Sequence, residues 1–141
     1  MNVNYREKSF ADENDYYCSI IINMIRHSSV SFDQLKQNIQ VLFNNGATLS
    51  GVDSHGRDSL MYAIMNNDLE LVNFLLENIN KGLIRNLTDK EGKNAIHYVV
   101  TPSKFGSFEN ISILKALLSI NNYFDLNQRD KLGKTPLDYA L

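Results

Sequence analysis

Three segments of this chain overlay without a gap: Asp53-Ser-His-Gly56-Arg-Asp58-Ser-Leu60, Asp89-Lys-Glu-Gly92-Lys-Asn94-Ala-Ile96 and Asp130-Lys-Leu-Gly133-Lys-Thr135-Pro-Leu137. Each runs from an aspartate to a glycine three residues on, then to a helix-capping residue and an apolar one. Successive glycines lie 36 and 41 residues apart. A unit recurring at that period cannot bury its apolar face alone and must stack on its neighbours, which constrains the architecture before anything else is weighed.

Each fixed position has a physical reason. The aspartate and glycine make a tight turn, with glycine supplying a positive φ at little steric cost. Asp58, Asn94 and Thr135 carry side-chain oxygens suited to the orphan amides of a starting helix. Pro136 sits at the first helical position, where its missing N–H costs nothing. Apolar helices then begin with Leu60, Ala63 and Ile64, with Ile96, Val99 and Val100, and with Leu137, Ala140 and Leu141. Second helices follow, with expected stripes Leu69, Val72, Leu75 and Leu76, and Ile111, Leu114, Leu117 and Leu118.

An earlier copy precedes these. Its first helix is the apolar stretch 16–25, and its second carries Phe32, Leu35, Ile39, Leu42 and Phe43. A Ser31-x-x-Gln34 capping box opens that second helix, and Asn45-Gly46 closes it. Helix pairs are therefore expected near 15–43, 58–78 and 94–119, with a final stub.

A turn, two helices and a loop, with openings such as Asn94-Ala95-Ile96-His97 and Thr135-Pro136-Leu137-Asp138 and the closing Asn45-Gly46-Ala47, resemble the ankyrin repeat. The resemblance implies an all-α solenoid of about three complete or degenerate repeats plus a truncated fourth. It divides the chain into a polar N-terminal extension, 1–13, and an ankyrin-repeat domain, 14–141, with copies near 14–52, 53–88, 89–129 and 130–141. His97, in the histidine slot of the motif, is implied to tie neighbouring turns together. Short runs (His97 to Val100, Phe105 to Asn110, Thr135 to Leu141) also resemble ankyrin segments attached to some poly(ADP-ribose) polymerases.

Two departures stand out. The third copy carries six extra residues between its helices, in the stretch 101–110, which includes Pro102, Phe105, Gly106 and Phe108. Insertions of this kind fall on loops, often on a binding face. Pro102 is expected to end the first helix, and at least one phenylalanine to pack, since each ring left in water forgoes roughly 1.5–3 kcal/mol of burial. The fourth copy stops inside its first helix, which leads to the expectation that the chain is part of a longer polypeptide.

Composition excludes several classes. Charged residues make up 21% and hydrophobic residues 43%, with a net charge of −2, so disorder and a basic nucleic-acid footprint are unsupported. No apolar run is long enough to span a bilayer, and the polar N-terminal residues contain no secretory h-region. The lone Cys18 cannot form an internal disulfide, which points to an intracellular, cytoplasmic or nuclear setting.

Catalytic chemistry finds no constellation. His27, His55 and His97 fall at unrelated repeat positions and share no ligand spacing with Cys18 or a carboxylate cluster, so no metal is expected. Cys18 reads as a small core residue without a paired base. Gly56, Gly92 and Gly133 form no phosphate-binding loop, and no cofactor is expected. Asp53, Asp89 and Asp130 lie one repeat apart, too far for paired acid–base work. Tyr62 and Tyr98 share one repeat position and are expected to pack between repeats. The chain is therefore expected not to be an enzyme.

What varies between copies lies at the turn tips and the first-helix ends. These residues are expected to bind a protein partner: Ser54, His55 and Arg57; Met65 and Asn66; Lys90, Glu91 and Lys93; Phe105 and Phe108; and Lys131, Leu132 and Lys134. Three functional readings follow: a recruitment or scaffold module, a regulatory or targeting segment of a larger enzyme such as a poly(ADP-ribose) polymerase, and a structural spacer in a longer array.

Overall fold

The computed structural model describes residues 13–27, 29–47, 49, 51–79, 88–101 and 109–141. Seven helices and no strands lie among them. Three pairs come first: α1 (Glu13–Arg26) with α2 (Phe32–Asn44), α3 (Ser59–Met65) with α4 (Leu69–Glu77), and α5 (Ala95–Val100) with α6 (Glu109–Leu118). The short α7 (Pro136–Ala140) follows. The expected pairing and the all-α class both hold. The expected N-terminal extension lies almost wholly outside the described residues, as do Phe105, Phe108, Pro102 and Gly106.

Helix starts follow the sequence residue by residue. Asp58 accepts the amide of Met61, Asn94 that of His97 and Thr135 that of Asp138, each three residues into its helix. Ser31 likewise accepts from the Gln34 amide at 3.3 Å, but the Gln34 side chain donates forward to Asn38, so the expected capping box is a one-sided N-cap. Asp68, which opens α4 through the Leu71 amide, is a further cap of the same chemistry. Helix α5 ends at Val100, and Thr101 is extended at φ −66°, ψ 124°. That is the conformation a following proline imposes, so the expected early stop is present.

The helices stack in two rows. In the first row α1 packs on α3, α3 on α5 and α5 on α7; in the second α2 packs on α4 and α4 on α6. One continuous core lies between the rows, built on Ile21, Ile25, Ile39, Leu60, Leu71, Leu75, Ile113 and Leu117, all essentially inaccessible. Truncating one such side chain to alanine costs about 2–5 kcal/mol.

One stripe differs from expectation. In α6 the buried residues are Ile113 and Leu117, with Leu114 partly buried, while Ile111 is 55% and Leu118 47% exposed. Apolar residues occupy 111, 113, 114, 116, 117 and 118, nearly all round the helix, so periodicity alone does not fix which side faces inward. The α4 stripe is wider than expected, because Leu71 and Phe74 are buried beside Val72, Leu75 and Leu76.

Candidate functional site

The turns before α3, α5 and α7 share one construction. In each, the aspartate side chain accepts two backbone N–H groups of its own turn: Asp53 from His55 and Arg57, Asp89 from Glu91 and Lys93, and Asp130 from Leu132 and Lys134. The backbone closes the turn a second time, with Asp53 N–H donating to the Arg57 carbonyl and Asp89 N–H to the Lys93 carbonyl. Gly56, Gly92 and Gly133 all have positive φ, between 73° and 77°.

Neighbouring hairpins are stitched tip to tip. Lys90 N–H donates to the His55 carbonyl at 2.9 Å, and Lys131 N–H to the Glu91 carbonyl at 2.8 Å. The backbones approach so closely that a Cβ on Gly56 would lie 2.9 Å from the Lys90 nitrogen. Gly56 and Gly92, whose Cβ would meet the Asp130 Cα at 3.1 Å, thus serve the turn and the repeat interface together.

A tyrosine nine residues after each aspartate completes the unit. Tyr62 donates its hydroxyl to Asp53, Tyr98 to Asp89 at 2.5 Å and Tyr139 to Asp130 at 2.5 Å. The expected shared position of Tyr62 and Tyr98 is real, each hydroxyl donates to the aspartate of its own repeat, and Tyr139 is a third member. The expected packing between repeats is also present, made by cations of the preceding copy and, at Tyr139, by the edge of the His97 ring at 5.9 Å. Arg26 lies over the Tyr62 ring at 5.4 Å, Arg57 Nε donates to the Tyr98 hydroxyl at 3.1 Å, and Lys93 lies over the Tyr139 ring at 4.7 Å. Lys134 approaches the same ring at 5.4 Å.

These bonds set the electrostatics. Burial pushes Asp53 upward, but its bonds from Tyr62 and the two amides outweigh it and hold the carboxyl below the usual range. The Tyr139 hydroxyl, together with the turn amides, holds Asp130 low as well. Burial and then the Asp89 carboxylate push Tyr98 up to about 12. Asp58, buried at the start of α3, is raised by desolvation to about 6.

His97 is fully buried. Its Nδ1 accepts the Asn94 amide at 3.1 Å, which leaves Nε2–H to donate to the Lys134 carbonyl of the next hairpin at 3.1 Å. The expected tie between turns is present.

The expected binding residues separate into three groups. Arg57, Met65, Glu91 and Lys93 come together, with Tyr98, Thr101 and Asn110, around a groove of about 360 Å³ between two repeats. Ser54, His55, Lys90, Lys131, Leu132 and Lys134 are exposed along the tips. Asn66 is exposed too, but its side-chain amide donates to the Ile25 carbonyl and links α3 to α1. Tyr98, Thr101 and Arg129, whose guanidinium donates to the Gly133 carbonyl, belong to this surface and were not anticipated. The aspartate-to-tyrosine spacing of nine, repeated three times, was the signal that could have found the tyrosines. Among the described residues no three His, Cys, Asp or Glu side chains converge as metal ligands, and no helix is long and apolar enough to cross a membrane.

Stacked units of hairpin and two helices, locked by a tip-to-tip ladder and a buried histidine, define a repeat solenoid. The chain belongs to the ankyrin-repeat family: the family model for ankyrin repeats (3 copies) matches residues 60–141. It is also similar to the nuclear factor NF-kappa-B p105 subunit of Gallus gallus, with 31% identity over 104 residues, 73% of this chain. The chain spans about a tenth of that relative's length. As a class, ankyrin repeats are protein–protein interaction modules.

Proposed function

We propose that this chain is a recruitment module that seats a protein partner across the hairpin tips and the exposed ends of the first helices, and that it performs no catalysis itself. The observation that carries this reading is the groove shared by Arg57, Met65, Glu91 and Lys93, which joins two repeats. The chemistry beneath that surface is already committed: the turn carboxylates hold amides and phenols, and His97 holds the repeats together. Side chains that differ from copy to copy are left to face outward, as a recognition surface requires. Partner recognition inside a longer polypeptide, in the cytosol or nucleus, fits the lone cysteine and the small share of the matched relative that the chain spans.

A photo-crosslinking residue placed at Met65 or Lys131 tests the reading against Val41, which is exposed on the second-helix row. Specific cross-links from Met65 and Lys131 but not from Val41 are expected. Cross-links confined to Val41 would place recognition on the other row.

A further inference from the structure

We infer that the partner segment is an acidic peptide, with an apolar side chain seated against Met65 and carboxylates laid along the hairpin tips. This rests on the reading of that face as protein-binding and specifies its ligand.

Cations outnumber carboxylates at the tips where solvent meets them. Lys90, Arg129, Lys131 and Lys134 are exposed, and Arg57 and Lys93 are half-buried beside them. The three turn aspartates do not answer this charge outwardly, because each accepts two amides and a phenol, and Asp89 and Asp130 are buried. Glu91 is an exposed carboxylate within the row, and Asp138, at the start of α7, is a second one facing Arg129 and Lys134, which leaves Lys90 and Lys131 as the exposed cations without an acidic neighbour of this kind. The chain as a whole carries a net charge of −2, so this edge runs against the overall balance.

Several of these cations are held in place before any ligand arrives. Arg57 is fixed by the Tyr98 hydroxyl, Lys93 and Lys134 by the Tyr139 ring, and Arg129 by the Gly133 carbonyl. Side chains already ordered lose less entropy on binding, which favours recognition of a matching row of carboxylates. Beside the row, Met65 is 48% exposed at the wall of the groove. A thioether of this kind adapts to varied aliphatic or aromatic partners. The groove volume is at the low end of ligand pockets, roughly 300–1,000 Å³, and suits one or two side chains more than a folded surface.

A single-stranded nucleic acid would satisfy the cations but not the rest. Such strands stack bases on aromatic faces, whereas the phenols here are bound to aspartates and Tyr139 faces two lysines.

The test uses the full chain and a fluorescein-labelled peptide in which leucine is flanked on each side by four glutamates, with binding read by anisotropy. Saturable binding is expected, weakened as salt rises from about 20 to about 150 mM. Replacing the central leucine by alanine should lose affinity on the wild type but not on M65E. The double variant K90E/K131E should bind about tenfold more weakly with unchanged helix content, because both side chains are exposed. Should that variant lose helix content, K90Q/K131Q replaces it, with a smaller loss expected. Absence of saturable binding, indifference to both charge variants, or tighter binding of an oligothymidylate of equal charge would overturn the inference. If Met65 cross-links a protein while the acidic peptide fails, the ligand assignment falls and the protein-binding reading stands.

Discussion

The Nε–H of Arg57 donates to the hydroxyl of Tyr98 at 3.1 Å, and that same hydroxyl donates to Asp89 at 2.5 Å. A residue at the tip of one hairpin is thereby tied to the turn carboxylate of the next. Arg57 was expected to bind a partner from its hairpin tip; half-buried and bonded across the repeat boundary, it has a structural duty as well.

Arg57→Ala should therefore lower the melting temperature, while Lys90→Ala should not. Combined with Tyr98→Phe in a double-mutant cycle, Arg57→Ala should give a coupling of about 0.5–1.5 kcal/mol. Additive effects would mean that the contact contributes nothing to stacking.

The glycine column should respond unequally to one and the same substitution. Gly56 and Gly133 have similar positive φ, so alanine at either strains the turn, at roughly 1 kcal/mol. At Gly56 the new Cβ also meets the Lys90 nitrogen at 2.9 Å, whereas nothing lies within 4 Å at Gly133. Gly56→Ala should cost at least about 1 kcal/mol more than Gly133→Ala in denaturant unfolding. Equal losses would mean that the tip-to-tip contact yields freely.

Asp58 should make stability depend on pH. Desolvation raises its folded pKa from 3.8 to about 6. Between those values the native state binds more protons than the unfolded chain, so the Asp58 contribution falls as pH rises through the window and is fully unfavourable above it. Asp58→Asn keeps a cap of the kind Asn94 provides. It should raise stability by roughly 1–3 kcal/mol at neutral pH, with the gain vanishing as pH falls from about 6 to about 4. A gain independent of pH would assign it to something other than the buried charge. Asp53 and Asp130, whose pKa values are lowered, act in the opposite sense and at lower pH, and they are common to both proteins.

The helix caps and the histidine tie were legible in the sequence. Asp58, Asn94 and Thr135 cap the helices they were expected to cap, and His97 bonds the next hairpin. These roles are local or set by one fixed repeat register, and side-chain chemistry specifies them. The inward face of α6 was not legible, because Ile111, Ile113, Leu117 and Leu118 are equally apolar and only packing against α4 and α5 chooses among them. The split within the candidate surface was hidden for a related reason. Arg57 and Lys90 are both tip cations in the sequence, and the next repeat's Tyr98 decides that one is bonded and the other free to project.

Hydrogen–deuterium exchange of the chain with and without its captured partner bears most directly on the central claim. Binding should slow exchange in the hairpin tips, 54–57 and 90–93, and at the end of α3 around Met65, while α2 and α4 exchange as before. Protection confined to α2 and α4, with the tips unchanged, would contradict it.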